Sequence, residues 1–223
     1  QFGSEDERIK AVGEASTSYT KHPWYAGVPA RIHSVVPSAK LIYVVRDPIE
    51  RMRSMYVHLV CEGDEKRTFA EVMAKLPDNH YVDLSLYHFQ LVQYLDLFPI
   101  EQILVVSSED LRDRRRETLR QVFQFLGVED DVQSPAFEVL ANRSVEKRAF
   151  KPLGKLMQRW TLHELMMFNL PPLALRVYER ATTYAVPKPD IPEDLHERLV
   201  AFIQPDTDRL RGLMGREFRS WSL

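Results

Sequence analysis

Apolar residues along the chain fall into two kinds of pattern. Lys40 to Val45 (KLIYVV) and Gln102 to Ser107 (QILVVS) are unbroken apolar runs rich in β-branched residues. Without polar alternation they predict strands buried on both faces, the inner strands of a parallel sheet. Ala11 to Ser16 (AVGEAS) is a third strand candidate, diluted by small residues and Gly13.

Between these runs the period changes to three and four. Leu84, Tyr87, Leu91, Tyr94, Leu95 and Phe98 predict a crossover helix that Pro99 closes before the next strand. Leu119, Val122, Phe123 and Leu126 share one face of a helix over Thr118 to Leu126, with Gly127 placed to end it. Thr68 and Glu71 form a capping-box pair that opens a short helix, Phe69 to Leu76, stopped by Pro77. Leu153 to Phe168, Leu173 to Tyr184 and Glu193 to Leu213 predict a C-terminal helical stretch, interrupted by the Pro-rich break Val186 to Pro192. Strands alternating with helices, then helices alone, predict an α/β fold with a parallel sheet and right-handed crossovers.

Composition narrows the function classes. The 223 residues carry 30 Lys plus Arg against 32 Asp plus Glu, a formal net charge of −2. Nothing global therefore points to nucleic acid or an anionic membrane, and an anion site has to be local. No apolar run approaches the roughly 18 to 20 residues of a membrane span, and Gln1 to Lys10 lacks the regions of a signal peptide. The one cysteine, Cys61, excludes an intrachain disulfide or a multi-thiolate metal site and reads as a packed thiol. Glycine is scarce, at 8 residues, which argues against a further glycine-rich nucleotide loop.

The chemistry concentrates in Lys40 to Val60. The first strand runs directly into Arg46, Asp47 and Pro48, and ligands of open α/β sheets bind at the carboxyl ends of strands. Asp47 as N-cap, Pro48 at the first helical position and Glu50 three residues after the cap fix the start of a helix. Arg46 then offers a permanently charged planar fork beside that helix, where a phosphate can be held. Ser54 and His58, four apart, share one helix face. Taken singly, each has an ordinary account: Arg46 paired with Asp47 or Glu50, Ser54 as a solvated hydroxyl, His58 bonded to a neighbour.

Strand, Arg-Asp-Pro and a serine eight residues after the arginine together resemble the 3′-phosphate-binding motif of sulfotransferases. These enzymes use 3′-phosphoadenosine 5′-phosphosulfate (PAPS). Gly13, Glu14, Ala15, Ser16 and Tyr19 resemble the segment that precedes this motif in heparan-sulfate-type and bacterial members. Tyr87 to Pro99, Ile103 to Val106, Glu109 to Leu111 and Thr118 to Val128 are similar to the family's next helix, strand and helix. Arg216 and Trp221 fit its closing pattern.

The resemblance implies a P-loop-NTPase-like parallel sheet flanked by helices, with a helical C-terminal portion. It further implies transfer of a sulfuryl group from PAPS to an acceptor hydroxyl or amine by in-line displacement, with adenosine 3′,5′-bisphosphate (PAP) as product. Arg46 and Ser54 would hold the 3′-phosphate. His58 would line the acceptor side, with an ordinary pKa near 6.5 that suits orienting the acceptor or assisting its proton. Lys147 and Arg148, in a basic stretch with Asn142 and Arg143, would close over the cosubstrate; a solvated charged loop diluted by Glu146 is the alternative. No metal is implied. The expected acceptor is a small molecule, a carbohydrate or a lipid. The apolar segment Leu162 to Tyr178 is a candidate pocket wall, though a helical core or a homo-oligomer contact accounts for it better.

One family feature has no counterpart. The lysine- and glycine-bearing loop around the 5′-phosphosulfate follows the family's first strand, and neither Gly3 with Ser4 nor Gly13 with Ser16 supplies the converging amides and cation it needs. The carboxylate base of heparan-type members would also fall upstream of Gly13. Three accounts are open: a segment preceding these residues, a loop from another chain, or loss of transfer activity. The first is the least elaborate, so residues 1–223 are expected to form one sulfotransferase-like domain that is incomplete at its N-terminus. A non-catalytic PAPS- or PAP-binding scaffold is the non-enzymatic alternative, and a small-molecule P-loop kinase is a third. A cytoplasmic, bacterial-like location is expected, with the Golgi lumen as the alternative.

Overall fold

The computed structural model describes residues 9–132, 134–138, 148–151 and 171–223. The predicted helix Leu153 to Phe168 and most of the basic stretch before Arg148, Lys147 included, lie outside the described residues.

The described residues divide into two compact units. The first comprises Gln1–Arg51, Lys75–Val139 and Glu193–Leu223. Its centre is a parallel pair, β1 (Leu41–Val45) and β2 (Ile103–Ser107), in register from Leu41 opposite Ile103 to Val45 opposite Ser107. Helix α1 (Val28–Val35) precedes β1 and α2 (Pro48–Glu62) follows it. The short α4 (His80–Asp83) and then α5 (Tyr87–Leu95) lead back to β2. Beyond β2 come α6 (Ser108–Asp113), α7 (Arg115–Leu126) and, after the second unit's residues, the long α9 (Glu193–Met214).

Val45, Tyr87, Leu91, Phe98, Ile103, Val105 and Leu210 form the core of this unit, closed by Phe218 and Trp221 from the C-terminal tail. Burial of such side chains is worth about 1.5–3 kcal/mol each against exposure. Asp206 of α9 joins two of the core helices in another way: its carboxylate accepts the backbone N–H groups of His88 (2.9 Å) and Phe89 (2.8 Å). The first turn of α5, which has no cap of its own, is thereby capped from a distant helix.

The second unit comprises Met52–Ala74 and Leu140–Pro192. It contains the continuation of α2, the short α3 (Phe69–Met73), and an antiparallel pair, β3 (Arg148–Phe150) with β4 (Thr183–Ala185), which follows α8 (Pro172–Thr182). Val57, Ala149 and Val186 form its small core, with Tyr56, Val60 and Cys61 packed against it.

Most elements follow the sequence pattern. The Thr68–Glu71 capping box closes in both directions, and Gly127 ends α7 at φ 78°, a left-handed conformation that glycine adopts without the Cβ penalty. Four expectations need correction. Ala11 to Ser16 forms no strand and lies exposed, because small residues around Gly13 offer no β-branched surface to pack. β1 is not buried on both faces: Ile42 and Val44 are exposed while Val45 is buried, and among the described residues its one hydrogen-bonded neighbour is β2. The crossover helix begins only at Tyr87, with α4 and the turn through Ser85 ahead of it. The helix predicted to reach Tyr184 stops at Thr182, where Thr183, Tyr184 and Ala185 pair with β3 instead.

Candidate functional site

Both parallel strands of the first unit run straight into helices, so their carboxyl ends and two helix starts meet at one edge of the sheet. Asp47 caps α2 as its sequence predicts, accepting the Glu50 N–H at 2.9 Å. The reciprocal half of that cap does not use Glu50. The Asp47 N–H donates instead to Oε1 of Glu109, at 3.1 Å, on the helix that follows β2.

Glu109 is buried and carries a network. Its Oε2 accepts the Ser107 hydroxyl at 2.7 Å and the Trp221 indole N–H at 3.3 Å. Ser107 in turn caps α6, its oxygen accepting the N–H groups of Glu109 and Asp110. The C-terminal tail closes the set: the Ser222 N–H donates to Asp47 Oδ2 at 2.6 Å. Arg216 donates both to the Val105 carbonyl at 3.0 Å and to Asp110 Oδ2 at 2.5 Å. Two buried carboxylates that each accept several donors make a rigid platform under the strand ends.

Arg46 stands on that platform. Its backbone N–H donates to the Tyr87 hydroxyl at 3.2 Å, and burial pushes that phenol up, so it stays protonated at any physiological pH. The guanidinium is about 30% exposed and meets Glu50 Oε2 at 3.2 Å. The next arginine, Arg51, donates to the Ser85 hydroxyl at 3.3 Å. The site therefore offers a half-exposed guanidinium at a strand's carboxyl end, held by one carboxylate that an incoming anion can displace.

Ser54, His58 and Arg148 lie in the second unit. Ser54 is half-buried on α2. His58, one turn further, is exposed, with Nδ1 3.7 Å from Glu62 Oε1, beyond hydrogen-bond distance. Arg148 is exposed on β3 and donates to Thr183 Oγ1 at 2.6 Å. Lys147 lies outside the described residues. Glu14, on the exposed segment before α1, accepts the Tyr19 hydroxyl. The part of Glu109 as the hub was missed in the sequence. The signal for it is the Ser107-Ser108-Glu109-Asp110 run, a cap followed by acidic residues directly after an apolar strand.

Strand ends braced by buried carboxylates thus stand beside a helix-capping Arg-Asp-Pro on an α/β scaffold. Residues 14–156 match the family model described as the sulfotransferase domain, and the chain belongs to that family. Over 107 residues it is 36% identical to mouse heparan sulfate glucosamine 3-O-sulfotransferase 3B1, covering 45% of this chain and 27% of that protein. Human carbohydrate sulfotransferase 15 is 28% identical over 145 residues, 54% of this chain and 26% of its own length. The chain thus spans about a quarter of the length of these curated relatives. A crystal structure of a sulfotransferase from Alicyclobacillus acidocaldarius superposes with a TM-score of 0.65 at 26% identity, covering 96% of this chain and 68% of that one. The α/β, P-loop-like fold expected from the sequence is that of this neighbour.

Proposed function

We propose that the protein transfers a sulfuryl group from PAPS to an acceptor hydroxyl or amine. In this reading the acceptor atom attacks sulfur in line, the bond from sulfur to the 5′-phosphate oxygen breaks, PAP leaves, and the acceptor's proton passes to a base or to water. The observation that carries it is Arg46: a guanidinium at the carboxyl end of β1, braced through its own N–H by Tyr87 and paired only loosely enough with Glu50 to exchange partners. The 3′-phosphate is what distinguishes PAPS from ATP, and a planar fork binds it bidentately.

Ser54, eight residues on, donates a directed hydrogen bond to the same phosphate, and Lys147 and Arg148 close over the cosubstrate. For Arg148 this requires exchanging its bond to Thr183 for one to an anion. His58 lines the acceptor side, where an exposed imidazole can orient the nucleophile or take up its proton. Catalysis on this account is positioning and charge stabilisation. The relatives named for heparan sulfate and carbohydrate substrates favour a carbohydrate acceptor. The test is sulfuryl transfer from labelled PAPS to a panel of carbohydrate, phenolic and lipid acceptors, read as labelled product together with stoichiometric PAP. Product that forms with the natural protein and is lost in Arg46→Ala supports the reading. Hydrolysis or transfer that is indifferent to Arg46 contradicts it.

A further inference from the structure

The segment Tyr19 to Gly27 is fastened to α5 in a way that its own sequence does not require. Gln90, fully buried, holds the backbone of His22 at both polar groups: its Oε1 accepts the His22 N–H at 2.8 Å and its Nε2 donates to the His22 carbonyl at 2.7 Å. A turn further along, the Tyr94 hydroxyl donates to the Tyr19 carbonyl at 2.7 Å. A loop otherwise free to fray is thus clamped as a strand would be, by a side-chain amide in place of a neighbouring backbone.

What the clamp holds up is a row of aromatic and basic side chains. Trp24 and Tyr25 are each 54% exposed, an unusual outlay for two adjacent large rings in an exposed loop. Trp24 meets the imidazole of His80 edge to face, with centroids 4.8 Å apart, which fixes the indole without covering it. Lys21 places its Nζ 5.8 Å from the centre of the Tyr25 ring and makes no ion pair among the described residues. Burial, then the charges of Lys21 and Arg51, hold the His80 imidazole below its ordinary pKa. Beside Tyr25 a cavity of about 150 Å³ opens, lined by His22, Gln93 and Tyr94 among others.

We propose that Lys21, Trp24 and Tyr25, with the cavity bounded by His22 and Gln93, form a binding subsite for an anionic sugar ring. Aromatic faces take the C–H-rich face of a pyranose, amide and imidazole groups meet its hydroxyls, and Lys21 pairs with a carboxylate or sulfate on the ring. An uncharged sugar would use the rings but leave Lys21 without a partner. That the occupant is the acceptor rests on the sulfotransferase reading above; that the subsite binds an anionic sugar does not.

The two are separated by titrating the full chain, by calorimetry, with a heparin-derived hexasaccharide, with uncharged maltohexaose and, independently, with PAP. The hexasaccharide should bind and maltohexaose should bind at least tenfold more weakly. Lys21→Gln, at a half-buried position, and Trp24→Leu, at an exposed one, should each weaken the hexasaccharide about tenfold in folded variants while PAP binding is unchanged, and Lys21→Arg should restore most of the loss. If folded variants bind the hexasaccharide like the natural protein, or maltohexaose binds equally well, the subsite is wrong. Hexasaccharide binding that needs Lys21 and Trp24 in a protein that does not bind PAP leaves the subsite standing and overturns the sulfotransferase reading instead.

Discussion

The backbone N–H of Asp47 donates to the Glu109 carboxylate at 3.1 Å, tying the start of the helix after β1 to the start of the helix after β2. The two residues are 62 apart in sequence, yet this bond and the Trp221 and Ser107 bonds to the same carboxylate hold the two strand ends in fixed relation. Arg46 immediately precedes Asp47, so this brace fixes where its backbone stands, while its guanidinium is held by Glu50.

Removing the hub should therefore cost stability as well as geometry. Glu109→Ala strands three donors in a buried place, the Asp47 N–H, the Ser107 hydroxyl and the Trp221 N–H, and at about 1–3 kcal/mol for a buried unsatisfied group the loss should be on the order of 3 kcal/mol after relaxation. Urea denaturation followed by circular dichroism measures it. A loss below about 0.5 kcal/mol would mean that the network is ornamental.

Arg46 is paired with Glu50, so in the proposed complex Glu50 and the 3′-phosphate compete for one guanidinium. Glu50→Gln keeps the shape and removes the charge, so PAP should bind about fivefold more tightly, the equivalent of a half-exposed ion pair worth about 1 kcal/mol. Isothermal titration of PAP into the variant reads this directly; weaker binding would show that Glu50 positions the arginine instead of opposing the ligand.

Much of this was legible in the chain. The two apolar runs, the helix start at Asp47-Pro48, the Thr68–Glu71 box and the stop at Gly127 are all local signals, in which a residue's chemistry acts on neighbours within four positions, and the structure reproduces them. The exposed face of β1 was not legible, because Ile42 and Val44 have the composition of buried strand residues and only the surrounding chain decides whether anything covers them. The switch from α8 into β4 at Thr183 follows the same rule: helical periodicity continues through Tyr184, and pairing with Arg148 to Phe150, some 35 residues earlier, overrides it. In the site, Arg46 and its helix could be read from spacing, whereas Glu109, Tyr87 and the tail reach it through contacts spanning 41 to 175 residues, which no local pattern encodes.

His80 gives a pH signature. Its imidazole is held below the ordinary 6.5, first by burial and then by Lys21 and Arg51, so the folded state disfavours the proton that the unfolded chain accepts. The stability this contributes is fully present above about pH 6.5 and is lost as pH falls through the lower folded value. His80→Gln should remove that dependence. The natural protein should lose stability relative to the variant between pH 7 and pH 5 in paired urea titrations, and parallel curves for the two would contradict the assignment.

Asp206 titrates in the opposite sense. Burial raises its carboxyl above the ordinary 3.8, outweighing the two N–H groups of α5 that favour its charged form. Its contribution is complete below about pH 3.8 and declines as pH rises through the higher folded value. Asp206→Asn keeps an acceptor for α5 without that charge, so the stability difference between natural protein and variant should move in the variant's favour from pH 4 to pH 7. A pH-independent difference in thermal melts would show that the carboxyl is not shifted.

The measurement that bears most directly on the central claim compares PAP with adenosine 5′-monophosphate, which lacks only the 3′-phosphate. At a hundredfold over its dissociation constant, PAP should stabilise the natural protein by roughly 2.7 kcal/mol. Adenosine 5′-monophosphate at the same concentration should give little of that gain. Arg46→Ala should bind PAP roughly 10- to 100-fold more weakly, the loss of charge-assisted hydrogen bonds. Equal stabilisation by the two nucleotides, or PAP binding that survives Arg46→Ala unchanged, would contradict the assignment of Arg46 to a 3′-phosphate and with it the PAPS-dependent reading.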